Sequence, residues 1–363
     1  MDENLQENGK QVIDETVDDT YVSPIQYDIA SYGADYDVEG LVKRLERSDI
    51  LIPPFQRNYV WNQKEASRFI ESLLLGLPVP GIFLAREPGS NKLLVIDGQQ
   101  RLKTLQFFYD GFFNPKEEEK KHQLFKLQSV QPQFEGLTFK TLREEDRIKL
   151  NDSLIHATVI KQESPKDDDT SVYHIFDRLN SQGRRLTPQE IRTAIYHGKL
   201  IDLIKELNEY QNWRDIYGNK SNRLKDQELV LRFLALYFEG NSYKRPMKEF
   251  LNIFSQKHRE ANQKFLSDCQ ALFKNTIDVI WNSIGKQAFK PIGALNAAVF
   301  DSVMVGLARK MSAGTVNNFE RVKTTYVELI NNPDYIKLVS QSTSDERNVE
   351  SRLRKAVEKL NGI

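Results

Sequence analysis

The sequence predicts an α+β domain followed by an all-helical one. Up to about residue 165, short apolar runs bounded by Pro, Gly and Asn alternate with stretches whose apolar residues recur every three to four positions, the two periods of strands and amphipathic helices. Beyond the polar linker at 162–169 the strand period vanishes, and almost every segment repeats at helical spacing. The chain has 363 residues, 39% of them hydrophobic, enough to fill two or three ordinary cores.

Residues 1–20 are acidic and polar with little to bury, and a disordered tail is expected there. That stretch lacks the apolar centre of a signal peptide and the basic character of a transit peptide. Order is expected to begin near residue 35. A helix over 36–46 follows from the spacing of Val38, Leu41, Val42 and Leu45. A strand at 50–53 is cut off by Pro53-Pro54, which presents 55–61 as a loop. Asn62 is an N-cap candidate for a helix carrying Ala66, Phe69, Ile70, Leu73 and Leu74, stopped at Gly76 and Pro78. Residues 81–86 and 92–96 read as a hairpin around a Pro-Gly-Ser-Asn turn. A helix then runs to Gly111, and the Lys/Glu run at 116–121 reads as a solvated loop. Strands at 123–129 and 153–161 bracket a helix over 141–150. The first domain is therefore expected over 35–165.

The second domain is expected over 170–363, with helices at 172–179, 188–197, 200–210, 227–238, 247–254, 262–280, 292–311, 317–330 and 345–360. No repeat is apparent. The charges balance, 51 basic against 51 acidic residues, so no global field draws the molecule to nucleic acid or to an anionic membrane. No segment has the apolar length of a membrane span, and a cytoplasmic location without a membrane partner is expected. The single cysteine, Cys269, sits on an apolar helical stretch and reads as a core thiol.

Asp97-Gly98-Gln99-Gln100-Arg101 stands where a strand turns into a helix. It joins a carboxylate, a conformationally free glycine, two amides and a guanidinium able to grip phosphate bidentately. At a helix N-terminus, backbone amides and the helix dipole add to the attraction for an anion. Lys103 and Thr104 could add a charge and a hydroxyl. The same spacing also fits a plain helix start, with Asp97 as N-cap and Arg101 as its ion-pair partner one turn on. Gln56-Arg57 tips the reading toward a site, because a polar, cationic pair lodged between Phe55 and Tyr59-Val60-Trp61 is hard to explain as surface decoration. Phe55 and Trp61 read as core, whereas Tyr59 could stack on a base. Farther on, Gly183 is a natural helix stop, and Thr187, Pro188 and Glu190 form a capping-box start. Asn180, Ser181, Arg184, Arg185 and Arg192 crowd around that turn, either closing over phosphates or serving structure alone.

Four ordered motifs, over 52–61, 71–80, 97–102 and 176–183, closely resemble the amino-terminal domain family of GmrSD and SspE restriction proteins. The resemblance spans about residues 35–200. It implies a ParB/sulfiredoxin-like fold and NTP hydrolysis coupled to restriction of modified or invading DNA. Transferred motif by motif, Asp97, Gln99, Gln100 and Arg101 are the expected core of a nucleotide site with Gly98 at its turn, and Gln56 and Arg57 are expected to face it. Longer members append an HNH-type nuclease; the five histidines here, His122, His156, His174, His197 and His258, are too scattered for its metal site. A separate nuclease or effector is the expected partner.

The leading functional expectation is an NTPase or nucleotide switch. Arg101 and Arg57 hold the phosphates, Mg²⁺ is shared between phosphate and Asp97, and Gln99 or Gln100 orients water. GTP, CTP and ATP remain equally open, and a homo-oligomer is expected. A second reading is a DNA-binding sensor that does not hydrolyse nucleotide, using basic clusters at Arg184-Arg185, 220–225, Lys244-Arg245 and 352–355 with Tyr217 and Tyr243. A third is a nicking nuclease at the same site, for which no carboxylate cluster is evident.

Overall fold

The computed structural model describes residues 28–52, 59–86, 91–115, 122–164, 175 and 186–363. They fall into two compact units, one within 26–186 and the other over 187–363. The first is α+β and the second helical.

In the first unit, strand β1 (Asp28–Asp37) leads directly into helix α1 (Val38–Glu46), whose N-cap Asp37 accepts the Gly40 amide at 2.6 Å. Strand β2 (Ile50–Leu51) precedes helix α2 (Gln63–Leu75). Asn62 and Glu65 form the reciprocal capping box at the start of α2. At its end Gly76 adopts φ 74°, and the Gly76 and Leu77 amides return to Leu73 and Ser72, a Schellman ending that only a left-handed residue permits cheaply. Strands β3 (Ile82–Arg86) and β4 (Leu93–Asp97) form the expected hairpin, and helix α3 (Gln99–Asp110) leaves it. Helix α4 (Glu144–Asn151) and strand β5 (Leu154–Ser164) complete the unit.

The strand order is β1-β5-β3-β4-β2. β1 runs antiparallel to β5, β5 parallel to β3, β3 antiparallel to β4, and β4 parallel to β2. Alternate residues Ile82, Leu84, Val95, Ile155, Ala157 and Val159 point from one face of the sheet into a core shared with Leu41, Ile70, Leu102 and Phe108.

Two expectations for this unit need correction. Order reaches back to Asp28, because β1 is a full strand although most of its side chains are exposed. Residues 123–129 form no strand apart from an isolated bridge between Phe112 and Leu124. Phe125 and Leu127 do alternate into the core, but their amides bond to loop carbonyls of Gly111 and Leu137. Alternation there reports one-sided burial of extended backbone, not pairing.

The second unit comprises α5 (Pro188–Ile195), α6 (Lys199–Asn208), α7 (Gln211–Tyr217), α8 (Lys225–Glu239), α9 (Met247–Lys257), α10 (Gln263–Ser283), α11 (Ala297–Ala313), α12 (Phe319–Ile330), α13 (Pro333–Ser340) and α14 (Glu346–Asn361). α7 and α13 are additions to the expected set, and α11 begins at Ala297, not at residue 292. Thr187, Pro188 and Glu190 make the expected capping box of α5. Every residue from Ala297 to Ala308 is buried, which makes α11 the central helix of the unit. Gly306 lets α14 close in, since a Cβ there would lie 2.9 Å from Leu360 and 3.0 Å from the Ala356 backbone. On the same helix, fully buried Asp301 accepts from Arg232 of α8 at 2.5 Å and from Arg352 of α14 at 3.1 Å. Cys269 is buried in this core, and burial pushes its thiol up to about 12.

Candidate functional site: the β4–α3 turn

β4 delivers Asp97 at its exposed end, and Gly98 turns the chain with φ 102° and ψ 7°. Two constraints meet at that glycine: the left-handed backbone, and a Cβ that would sit 2.4 Å from Ile82 Cγ2. α3 then begins without any side-chain cap, its first helical bond running from the Leu102 amide to the Gly98 carbonyl at 3.0 Å. The amides ahead of Leu102 have no acceptor within the helix and lie at its positive end.

The motif's side chains divide their work. Asp97 is not the N-cap, a place Gly98 takes. Its carboxylate, about half exposed, pairs with Arg101 at 2.8 Å in the i,i+4 arrangement. Arg101 Nη2 also donates to the Gly81 carbonyl at 2.9 Å, joining α3 to the entry of β3. Gln99 is buried. Gln100 Oε1 accepts the Val60 amide at 2.9 Å and the Trp61 amide at 3.3 Å. Thr104 donates to the Gln100 carbonyl at 2.7 Å, and its hydroxyl meets the Tyr59 hydroxyl at 2.7 Å. Lys103, one turn into α3, is partly buried, and desolvation pulls its ammonium pKa down from 10.5.

Tyr59 belongs to the core. It is 8% exposed, and its ring meets Phe107 and Phe113 edge to face at 5.0 and 5.7 Å. Burial pushes its hydroxyl up to about 12. That placement leaves no open ring face for a base, so Thr104 and Tyr59 serve the helix start from inside. Gln56, Arg57, Asn180, Ser181, Arg184 and Arg185 lie outside the described residues, as do the acidic tail at 1–20, the charged run at 116–121 and the helix expected over 172–179.

Arg192, expected either to close over phosphates or to serve structure alone, is fully buried and structural. Its guanidinium donates to Asn252 at 2.9 Å, Glu228 at 3.3 Å, Gln189 and the Lys248 carbonyl, tying α5 to α8 and α9. The basic clusters are likewise engaged with carboxylates. Lys220 pairs with Glu209, Arg223 with Glu190, Lys244 with Glu346, Arg245 with Asp345, and Lys355 with Asp334. Arg352 is wholly interior, and Tyr243 is buried with its hydroxyl on the Ser344 carbonyl. Among the described residues no group of three or more His, Cys, Asp or Glu side chains is placed to hold a metal ion. Asp97 offers one exposed carboxylate at the turn, with an oxygen engaged by Arg101.

Sequence reasoning missed the backbone half of this site. The Gly81 carbonyl and the Val60 and Trp61 amides hold Arg101 and Gln100, and backbone groups leave no mark in residue type. The exposed cross-strand pair His156–Asp35, 2.8 Å apart over Gly33, also went unmarked because β1 itself was not expected.

Fold and site together define an α+β protein whose candidate anion-binding turn links a strand to an uncapped helix. Residues 38–197 match the family model for the GmrSD restriction endonuclease, N-terminal domain. The domain marks a restriction-system protein. A comparison with curated proteins gives no match. Among the described residues no helix is long and apolar enough to cross a membrane.

Proposed function

We propose that the protein is the nucleotide-binding and NTP-hydrolysing component of a restriction system, with the β4–α3 turn receiving the phosphates. The observation that carries this reading is the start of α3 behind Gly98, which has no side-chain cap and sets the positive end of the helix next to Asp97 in the chain. A phosphate seated there gains the amides and the helix dipole, and the half-buried Lys103 ammonium gains an anion that offsets its desolvation. Arg101, tied to Asp97 and Gly81, keeps the turn in shape and adds its charge. Mg²⁺ would be held between the phosphates and Asp97, where it neutralises charge and steadies the leaving group. Hydrolysis in such a site is mostly positioning and electrostatic stabilisation. Nucleotide state would then control DNA restriction through a separate nuclease or effector, with the protein acting as a homo-oligomer.

Calorimetry with GTP, CTP, ATP and UTP in Mg²⁺, paired with phosphate release with and without DNA, tests this directly. Binding of at least one nucleotide is expected, and Lys103→Met should weaken it about tenfold or more, the cost of a lost charge-assisted contact. Arg101→Ala should abolish binding and turnover, with thermal unfolding measured alongside because Arg101 also anchors Gly81. No binding heat and no phosphate release with any of the four would overturn the reading.

A further inference from the structure

The segment leading into α2 is fastened to the first turn of α3 at two levels. Gln100 Oε1 accepts the Val60 and Trp61 amides, so one side chain gathers two consecutive backbone donors. Beneath it, the Tyr59 hydroxyl meets Thr104, whose own hydroxyl bonds the Gln100 carbonyl. The lower bond is buried, and Tyr59 is wedged between Phe107 and Phe113. Val60, by contrast, is 61% exposed, so no packing of its own side chain holds the segment in place. Aromatic packing of Tyr59 and of Trp61 on Phe69 holds its two ends, and among the described residues the polar bonds that tie it to α3 end on Gln100 or Thr104.

We propose that Gln100 is a positioning residue: its carboxamide oxygen straps Tyr59-Val60-Trp61 to the first turn of α3, so that the strap and the start of that helix form one preorganised surface for the phosphates. The Gln100 oxygen, already taken by two amides, is then unavailable to orient water. This rests on the function proposed above. It reassigns Gln100 from a group that acts on the reaction to one that acts through the strap. Tyr59 and Thr104 share that role, touching no ligand themselves.

The test uses the full chain and two independent readouts. Hydrogen exchange over residues 59–61 without nucleotide reads the strap alone, and calorimetry with the best-binding nucleotide reads its consequence. Tyr59→Phe removes one buried oxygen and keeps the ring; it should raise exchange of the Val60 and Trp61 amides and weaken nucleotide binding about three- to tenfold, the span of one net hydrogen bond. Gln100→Leu should do both more strongly, at unchanged far-ultraviolet dichroism. Gln100→Glu, which keeps an acceptor oxygen, should retain slow exchange at 60 and 61. Trp61 supplies a further signal, because its emission should shift on nucleotide addition in the wild type and not in Gln100→Leu. Unchanged exchange in Tyr59→Phe and Gln100→Leu would overturn the strap, whatever nucleotide does. Faster exchange with wild-type affinity would overturn its role in positioning. A wild type that binds no nucleotide removes the proposed function, while the exchange data still decide whether the strap exists.

Discussion

Gly98 concentrates the demands of the turn in one residue. Alanine there would have to hold φ near 102° and put a methyl 2.4 Å from Ile82 Cγ2. The backbone strain alone is on the order of 1–3 kcal/mol. Gly98→Ala is therefore expected to lower stability by at least about 2 kcal/mol in urea titration, with the overlap adding to the strain; an unchanged midpoint would contradict the turn. The motif's place at a strand-to-helix turn was legible in the sequence, but the direction in which each side chain is spent was not. Asp97, Gln100 and Arg101 all looked ligand-facing, yet Gln100 turns to Val60 and Trp61, and Arg101 shares Nη2 between Asp97 and Gly81. Arg192, read as closing over phosphates or serving structure alone, and Arg352, read within a basic cluster for DNA, are both interior, because their partners Asn252, Glu228 and Asp301 come from sequence positions too distant for any local pattern to pair.

At the scale of the element, caps made the helices readable. Asn62 with Glu65, Thr187 with Glu190, and Gly76 each satisfy backbone groups next to them in sequence, so their meaning is local. β1 was illegible for the opposite reason. Asp-Ile-Ala-Ser-Tyr-Gly-Ala-Asp-Tyr-Asp buries little, and the strand exists through its ten-residue register with β5, more than a hundred positions away. The contact between α8 and α9 carries a pH dependence. Burial pushes the Glu239 carboxyl up, but hydrogen bonds and charge from Lys257 and His258 outweigh it and hold its pKa below 4.5. A carboxylate depressed in the folded state contributes stability above its unfolded pKa, and that contribution disappears as pH falls through the folded value. Unfolding followed from pH 6 down to 3 should show this acid loss in the wild type. Glu239→Gln should be less stable at pH 6 and show a shallower decline below 4.5; parallel curves would remove Glu239 from the account.

Over the whole molecule, each unit has its own hydrophobic cluster, one built on the sheet and the other around α11. Asp301 is the polar centre of the second, the carboxylate shared by guanidiniums of α8 and α14. Removing one member of a buried ionic set leaves charge without its counterpart and typically costs about 3–5 kcal/mol. Asp301→Ala should therefore lower the calorimetric unfolding temperature of the helical unit, while Gly98→Ala should act on the α+β unit. Identical effects of the two variants on one shared transition would mean that the chain unfolds as a single cooperative body. Balanced composition, 51 charges of each sign, is mirrored by basic side chains that pair with carboxylates across the helical surface.

The lone thiol has a practical corollary. Because Cys269 is enclosed and its pKa is pushed up to about 12, almost none of it is thiolate at neutral pH, and maleimide reagents should pass it by. Cysteines introduced at exposed Val60 and Ile292 would then be the ones that react, so a probe can be placed on either unit with the native thiol left in place.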